Sequence, residues 1–308
     1  MGALIAIPDR LKAYRVAELV TLTRDGSPVC WPMTPSFMDT KIAFATGYVY
    51  PSKAINAKRN RNVAVLFSDP TASDRTEADP LTLVQGTAEV LDDDLQRNTE
   101  RYVDELLASD VRVMELALRS PWIRNLMVGY LCRIWIEVSP MREMHWDRGT
   151  EPPPDLKAVK PPQFTPAAST AITQVASWLS RYSRPPVLSF VTESGNPAAT
   201  RVAATYENGV MRLEGGVDAD EGAPACLTFH RLAGNYSSFD TFIIRGHLES
   251  WTTFAPEKVV GFVGSRDDRG VGTLKSLRMV NSWRGQLKRK LAAEGKPMVV
   301  ARPSAKNR

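Results

Sequence analysis

The chain has 308 residues, 43% hydrophobic and 24% charged, with 39 Lys and Arg against 34 Asp and Glu for a formal net charge of +5. That balance is globular and excludes a fibrous or disordered chain; the 3 cysteines exclude a disulfide scaffold and point to a reducing compartment. Residues 284–308 carry +7 and the remainder −2, so the body has no general polyanion-binding character and no nucleic-acid partner is expected. The basic end reads either as a solvated helix end with a frayed tail or as an anion-binding element. The opening MGALIAIPDRLKAY has no basic segment before its apolar run, and no stretch approaches the ~18 apolar residues of a membrane span. A cytoplasmic protein without a membrane partner is expected.

In chain order, residues 17–23 (AELVTLT) form a short apolar run closed by Arg24-Asp25-Gly26, a hairpin signal. Strands follow from Val29 and over 41–46. Pro51-Ser52-Lys53 then opens a short helix over 54–61. Residues 62–67 (NVAVLF) and 81–90 (LTLVQGTAEV) read as strands. Residues 92–118 read as helix, acidic at the start, with Leu95, Tyr102, Leu106 and Leu107 near a 3.6 period. A β-prone run at 130–138 (YLCRIWIEV) closes this half. Prolines 152–154, 161 and 162 exclude helix interior and central strand, so 151–162 reads as an extended linker between domains at 1–150 and 163–308.

The second half repeats the first. LSFVT at 188–192, followed by Glu193-Ser194-Gly195-Asn196-Pro197, mirrors LVTLT followed by RDGSP, with Gly26 and Gly195 169 residues apart. Asn62–Phe67 matches 224–229 (PACLTF) at 162, and Gln85-Gly86-Thr87-Ala88-Glu89 matches Arg245-Gly246-His247-Leu248-Glu249 at 160. Three matches in one order at nearly constant spacing indicate one small barrel domain written twice. The fold class expected is mostly β with peripheral helices (α+β).

The order of strand, D-G-x-P turn, two strands, S-K, short helix, NVAVLF and LVQGTAEV resembles the pyridoxamine 5′-phosphate oxidase-like superfamily of FMN- or deazaflavin-binding split β-barrels. The likeness covers about 10–147 well and about 180–250 weakly. It implies two FMN-binding split barrels fused as a pseudo-dimer, with the flavin in the groove between them. Further oligomerisation stays open.

Thr46 and Pro51-Ser52-Lys53 place hydroxyls, a cation and free helix N–H groups where an anion is favoured. The resemblance assigns the flavin phosphate to Ser52 and Lys53, with Thr46 behind them. It sets Trp31, Pro32, Met33 and Thr34 against the isoalloxazine ring. Trp31 stands where an oxidase proper tends to carry an arginine, which counts against that particular activity. In the second copy, Asp218, Asp220 and Glu221 would repel a phosphate, so one competent site is preferred. Arg201 there is either a surface strand residue or part of a second anion site.

Lys58, Arg59 and Arg61 either line a more basic groove, as a deazaflavin would favour, or face solvent. His145, His230 and His247 have no metal-ligand spacing and read as hydrogen-bonded structural residues; Cys30, Cys132 and Cys226 read as buried thiols. Residues 218–222 lack the spacing of a calcium loop, and Asp267–Gly272 reads as an isolated turn. Trp283-Arg284 suits either a ring and an anion or docking of the C-terminal helix on the second barrel. The function implied is an FMN-dependent oxidoreductase acting on a small organic substrate. A deazaflavin (coenzyme F-420) reductase and a non-catalytic flavin- or haem-binding module are the alternatives, and no metal is expected.

Overall fold

The structure, a computed structural model, describes residues 6–71, 73, 75–108, 118–170, 172, 175, 179–180, 182, 184–232, 239–263 and 273–305, with backbone only at 239, 262–263 and 273–277. They divide into one compact unit of 1–42, 56–88 and 138–265, and another of 43–55, 89–137 and 266–308. The expected turn at 267–272 lies outside the described residues.

After helix α1 (Asp9–Lys12) come β1 (Ala17–Leu22), β2 (Pro28–Met33), β3 (Pro35–Phe37), β4 (Ile42–Gly47), α2 (Ser52–Arg59), β5 (Asn62–Phe67), β6 (Leu81–Leu91), α3 (Leu95–Ala108) and β7 (Arg133–Trp146). The second half supplies β8 (Val187–Val191), β9 (Pro197–Arg201), β10 (Ala203–Glu207), β11 (Val210–Glu214), β12 (Ala223–Leu232), β13 (Phe239–Ser250) and β14 (Thr253–Val263). The C-terminal helix spans Thr273–Ala293.

Each half forms one curled seven-stranded antiparallel sheet. The first runs β2-β1-β5-β6-β7-β4-β3 and the second β9-β8-β12-β13-β14-β11-β10. Element for element the two orders are the same, so the repeat in the sequence is a repeat of topology.

Local detail repeats as well. Thr23 N–H donates to Ser27 O at 2.9 Å and Gly26 N–H to Thr23 O at 3.1 Å; Thr192 N–H donates to Asn196 O at 2.9 Å and Gly195 N–H to Thr192 O at 2.8 Å. Both turns need a left-handed residue, at Gly26 (φ 79°) and Gly195 (φ 75°). The Tyr14–Phe67 rings meet at 5.6 Å, and their counterparts Tyr182–Phe229 at 5.8 Å. A Cβ on Gly86 would overlap the Ser139 carbonyl, and one on Gly246 the Ala255 carbonyl. These two glycines therefore permit close backbone approach between neighbouring strands.

Strands β1, β2 and β5 pack on β8, β9, β12 and β13. Val20, Ala64 and Leu66 share one core cluster with Leu188, Leu227 and Phe229. Shielding on both faces explains why β1 and β5 read as continuous apolar runs rather than alternating ones.

The structure departs from the expected elements in three places. Helix α3 covers Leu95–Ala108 of the helix expected at 92–118, and 109–117 lie outside the described residues. Val128–Leu131 is a helical turn, so β7 begins only at Arg133 and continues through Pro140 to Trp146. The linker is not merely extended: Leu156 and Ala158 are buried, Ala158 N–H donates to Asp218 O at 2.7 Å and Asp220 N–H to Ala158 O at 2.9 Å. No described helix is long and apolar enough to cross a membrane.

Candidate functional site

Thr46 closes β4, and α2 begins at Ser52, so Lys53 lies in the first helical turn. Thr46 is buried, Ser52 exposed and Lys53 between the two. Burial and then the Arg133 guanidinium lower the Lys53 ammonium pKa to about 8. The sequence-predicted trio therefore shares one compact unit, and its cation is electrostatically strained by a second one.

Arg133 was not among the residues expected, and its setting is unusual. Its guanidinium lies 4.5 Å from the Tyr102 ring centroid and 4.2 Å from that of Tyr130. Nη2 donates to Tyr102 Oη at 3.2 Å, while the buried Nε–H has no acceptor. Among the described residues no carboxylate pairs with it. Gly47 leaves the space beside it: a Cβ there would stand 3.4 Å from Arg133 Nη1. Two neighbouring cations, one with a buried N–H lacking an acceptor, fit an anionic group such as a phosphate.

The basic C-terminal end braces this turn. Lys290 Nζ donates to Tyr48 O at 2.7 Å and lies 4.2 Å over its ring. Lys296 Nζ donates to Tyr48 Oη at 3.3 Å, and that hydroxyl donates to Glu294. Farther along, Val300 exchanges backbone hydrogen bonds with the Gln96 side chain at 2.8 and 2.9 Å, and Arg302 pairs with Glu100 at 2.8 Å. Trp283 stacks on Tyr130 at 5.7 Å, docking its helix on residues of the first half. The tail to Ser304 is thus a bound strap rather than a frayed end.

In the other compact unit, Trp31 faces Leu19 in register across β1–β2, and Pro32 faces Glu18. Trp31 packs against the cluster of Val29, Cys226 and Ile243, Met33 is buried and Thr34 exposed. Arg201 is not a surface residue: its side chain is 6% exposed and Nη2 donates to Glu18 Oε1 at 2.8 Å. Ser68 Oγ donates to the same oxygen at 2.8 Å, and His230 Nε2 lies 2.8 Å from it. Asp69, held low by His230 and by bonds from Thr71 despite burial, stands 3.5 Å from His230 Nδ1. Glu18, the single acid in an apolar strand run, was the legible signal for this buried network.

Lys58, Arg59 and Arg61 are exposed, with Arg61 Nε bonded to Ala88 O at 3.0 Å. His247 pairs with Glu257 at 3.0 Å and His145 is exposed. Burial pushes the Cys30, Cys132 and Cys226 thiols up. Among the described residues no three His, Cys, Asp or Glu converge as a metal site. Between β11 and β12 the second copy has only the turn 215–222, where the first has α2. Its Asp220 pairs with Lys157 of the linker at 3.0 Å.

No family profile and no curated protein matches the sequence. Among solved structures the chain is similar to a putative pyridoxamine 5′-phosphate oxidase from Listeria innocua (18% identity, TM-score 0.30, 44% of this chain and 90% of that one). It is also similar to an F-420 reductase (18%, 0.31, 44% and 98%) and to HutZ, a haem storage protein from Vibrio cholerae (10%, 0.32, 46% and 91%). The chain itself carries two curled antiparallel sheets of the same seven-strand order, one per half.

Proposed function

We propose that the chain is a flavin-dependent oxidoreductase that binds FMN and acts on a small organic substrate, in the cytoplasm. The observation that carries this reading is the buried Arg133 Nε–H, which has no acceptor, beside Lys53 in the first turn of α2. A buried N–H without an acceptor favours an anionic ligand, and a cofactor phosphate supplies one. Ser52 and the helix N–H groups add donors, with Thr46 behind them. The flavin, when bound, supplies the hydride chemistry; the chain binds and orients it and shields it from water.

The test is the absorbance spectrum of the protein as purified and after addition of FMN. Oxidised-flavin bands that survive gel filtration support the reading. A single deazaflavin band would move the chain to the F-420 reductases, and a Soret band to haem binding. Replacing Lys53→Ala should weaken FMN binding roughly 10- to 100-fold, the range for loss of one charge-assisted hydrogen bond. Unchanged affinity would show that the phosphate lies elsewhere.

A further inference from the structure

We propose that the buried ion network around Glu18 makes the pairing of the two barrel copies selective, so that each copy accepts the opposite kind and rejects its own. Glu18, Asp69, Arg184, Arg201 and His230 all lie in one compact unit, and the side chains of Glu18, Asp69 and His230 are fully buried. Both acids come from the first copy and all three bases from the second. Glu18 Oε1 meets Arg201 Nη2 and His230 Nε2, each at 2.8 Å. Asp69 Oδ2 stands 3.5 Å from His230 Nδ1, and its Oδ1 accepts from Arg184. Each of these four pairs crosses from one copy to the other.

The equivalent positions define what like copies would offer each other. In the first copy Glu18 faces Pro32 on one side and Leu66 on the other; in the second, Val187 faces Arg201 and Thr228 in the same two places. Glu18 thus corresponds to Val187 and Arg201 to Pro32, and two residues beyond Leu66 and Thr228, Ser68 corresponds to His230. Two first copies joined through this face would set each Glu18 against the other's Pro32 and Ser68, with no cation for either carboxylate. Two second copies would set Arg201 and His230 against Val187, with no acid. A buried charge deprived of its partner is strongly unfavourable, whereas a complete network adds little to stability compared with apolar packing. Its effect falls instead on the choice of partner. One unpaired charge of this kind gives a preference for the opposite copy of roughly 100-fold or more. The face of the first copy therefore fits a second-type copy and excludes the first copy of another chain.

The experiment cuts the folded full chain at an engineered protease site between Thr150 and Glu151, both exposed, and lets the two fragments separate and re-pair through urea. Native mass spectrometry then counts pairs of opposite and of like fragments. In the wild type the expected result is opposite pairs, with like pairs below about 1%. In Glu18→Leu/Arg201→Met/His230→Leu, apolar side chains replace the network. Like pairs of the 1–150 fragment should then rise at least about 10-fold, while the uncut variant unfolds at a urea midpoint no lower than the wild type. Both proteins carry the same C-terminal helix and tail, so the difference between them reads the network alone. Like pairs at their statistical share in the wild type, or no rise in the triple variant, would overturn the proposal. Wild-type fragments that do not re-pair would overturn it too, since a face that selects its opposite must first recognise it. If the triple variant fails to refold, Glu18→Gln/Arg201→Gln/His230→Gln, which removes charge and keeps hydrogen bonding, is measured in its place with the same two outcomes. Failure of both variants to refold would make the network a source of stability rather than of selection and reject the proposal. No cofactor enters the measurement, so either result leaves the flavin reading to its own test.

Discussion

At Lys53, burial and the Arg133 charge lower the ammonium pKa to about 8, which couples anion binding to protons. A bound phosphate favours the charged form and so raises that pKa. Below pH 8 the lysine is charged both free and bound, and affinity is insensitive to its titration. Above pH 8 the free protein loses the proton that the complex retains, so affinity falls by up to about tenfold per pH unit until the bound pKa is reached. FMN titrations from pH 7 to 10 should show this downturn; a flat profile to pH 10 would mean that Lys53 does not meet the phosphate. Ser52 and Lys53 were legible in the sequence because they adjoin each other at a helix start. Arg133 was not, because its neighbours come from α3, a helical turn and the end of β4. Inside YLCRIWIEV it looks like one polar residue in a strand.

Among the elements, the matched pairs of strands were read most reliably, because their turns carry the signal. Asn62–Phe67 was found at its observed bounds. The start of β7 was misplaced because β-prone Tyr130 and Leu131 are claimed by a helical turn whose Gly129 lies against the Trp283 backbone. The two classes of glycine make a graded prediction. Gly26 has a left-handed φ but open space around its Cβ position, so Gly26→Ala costs only the conformational strain, about 1–2 kcal/mol. At Gly86 the obstacle is backbone, which must move to admit a methyl group, and overpacking of that kind adds about 1–3 kcal/mol. Since β6 is central to its sheet and shares the buried core, Gly86→Ala should lose as much stability as Gly26→Ala or more in urea unfolding. The reverse order would mean that β6 and β7 can part at little cost.

For the whole molecule, the duplication was visible in sequence spacing, whereas the use made of the linker and tail was not. Both are polar or proline-rich, and each is bound in part through backbone groups, at Ala158 and at Val300, which leave no pattern in side-chain identity. The copies also differ between their fourth and fifth strands. The first places α2 there, and the second only the turn 215–222 with Asp218 and Asp220. FMN should accordingly saturate at one per chain, measured as flavin absorbance against protein concentration at equilibrium. A ratio of two would require a phosphate site in the second copy that uses neither a helix start nor Lys53.

That difference between the fourth and fifth strands has a consequence for how the protein can vary. In a symmetric dimer every substitution arrives in both grooves at once, so neither can change alone. Joining the copies removes that constraint. The turn 215–222 secures the connecting segment through Asp220 and Lys157, at 3.0 Å. Each half is thereby free to acquire mutations on its own account.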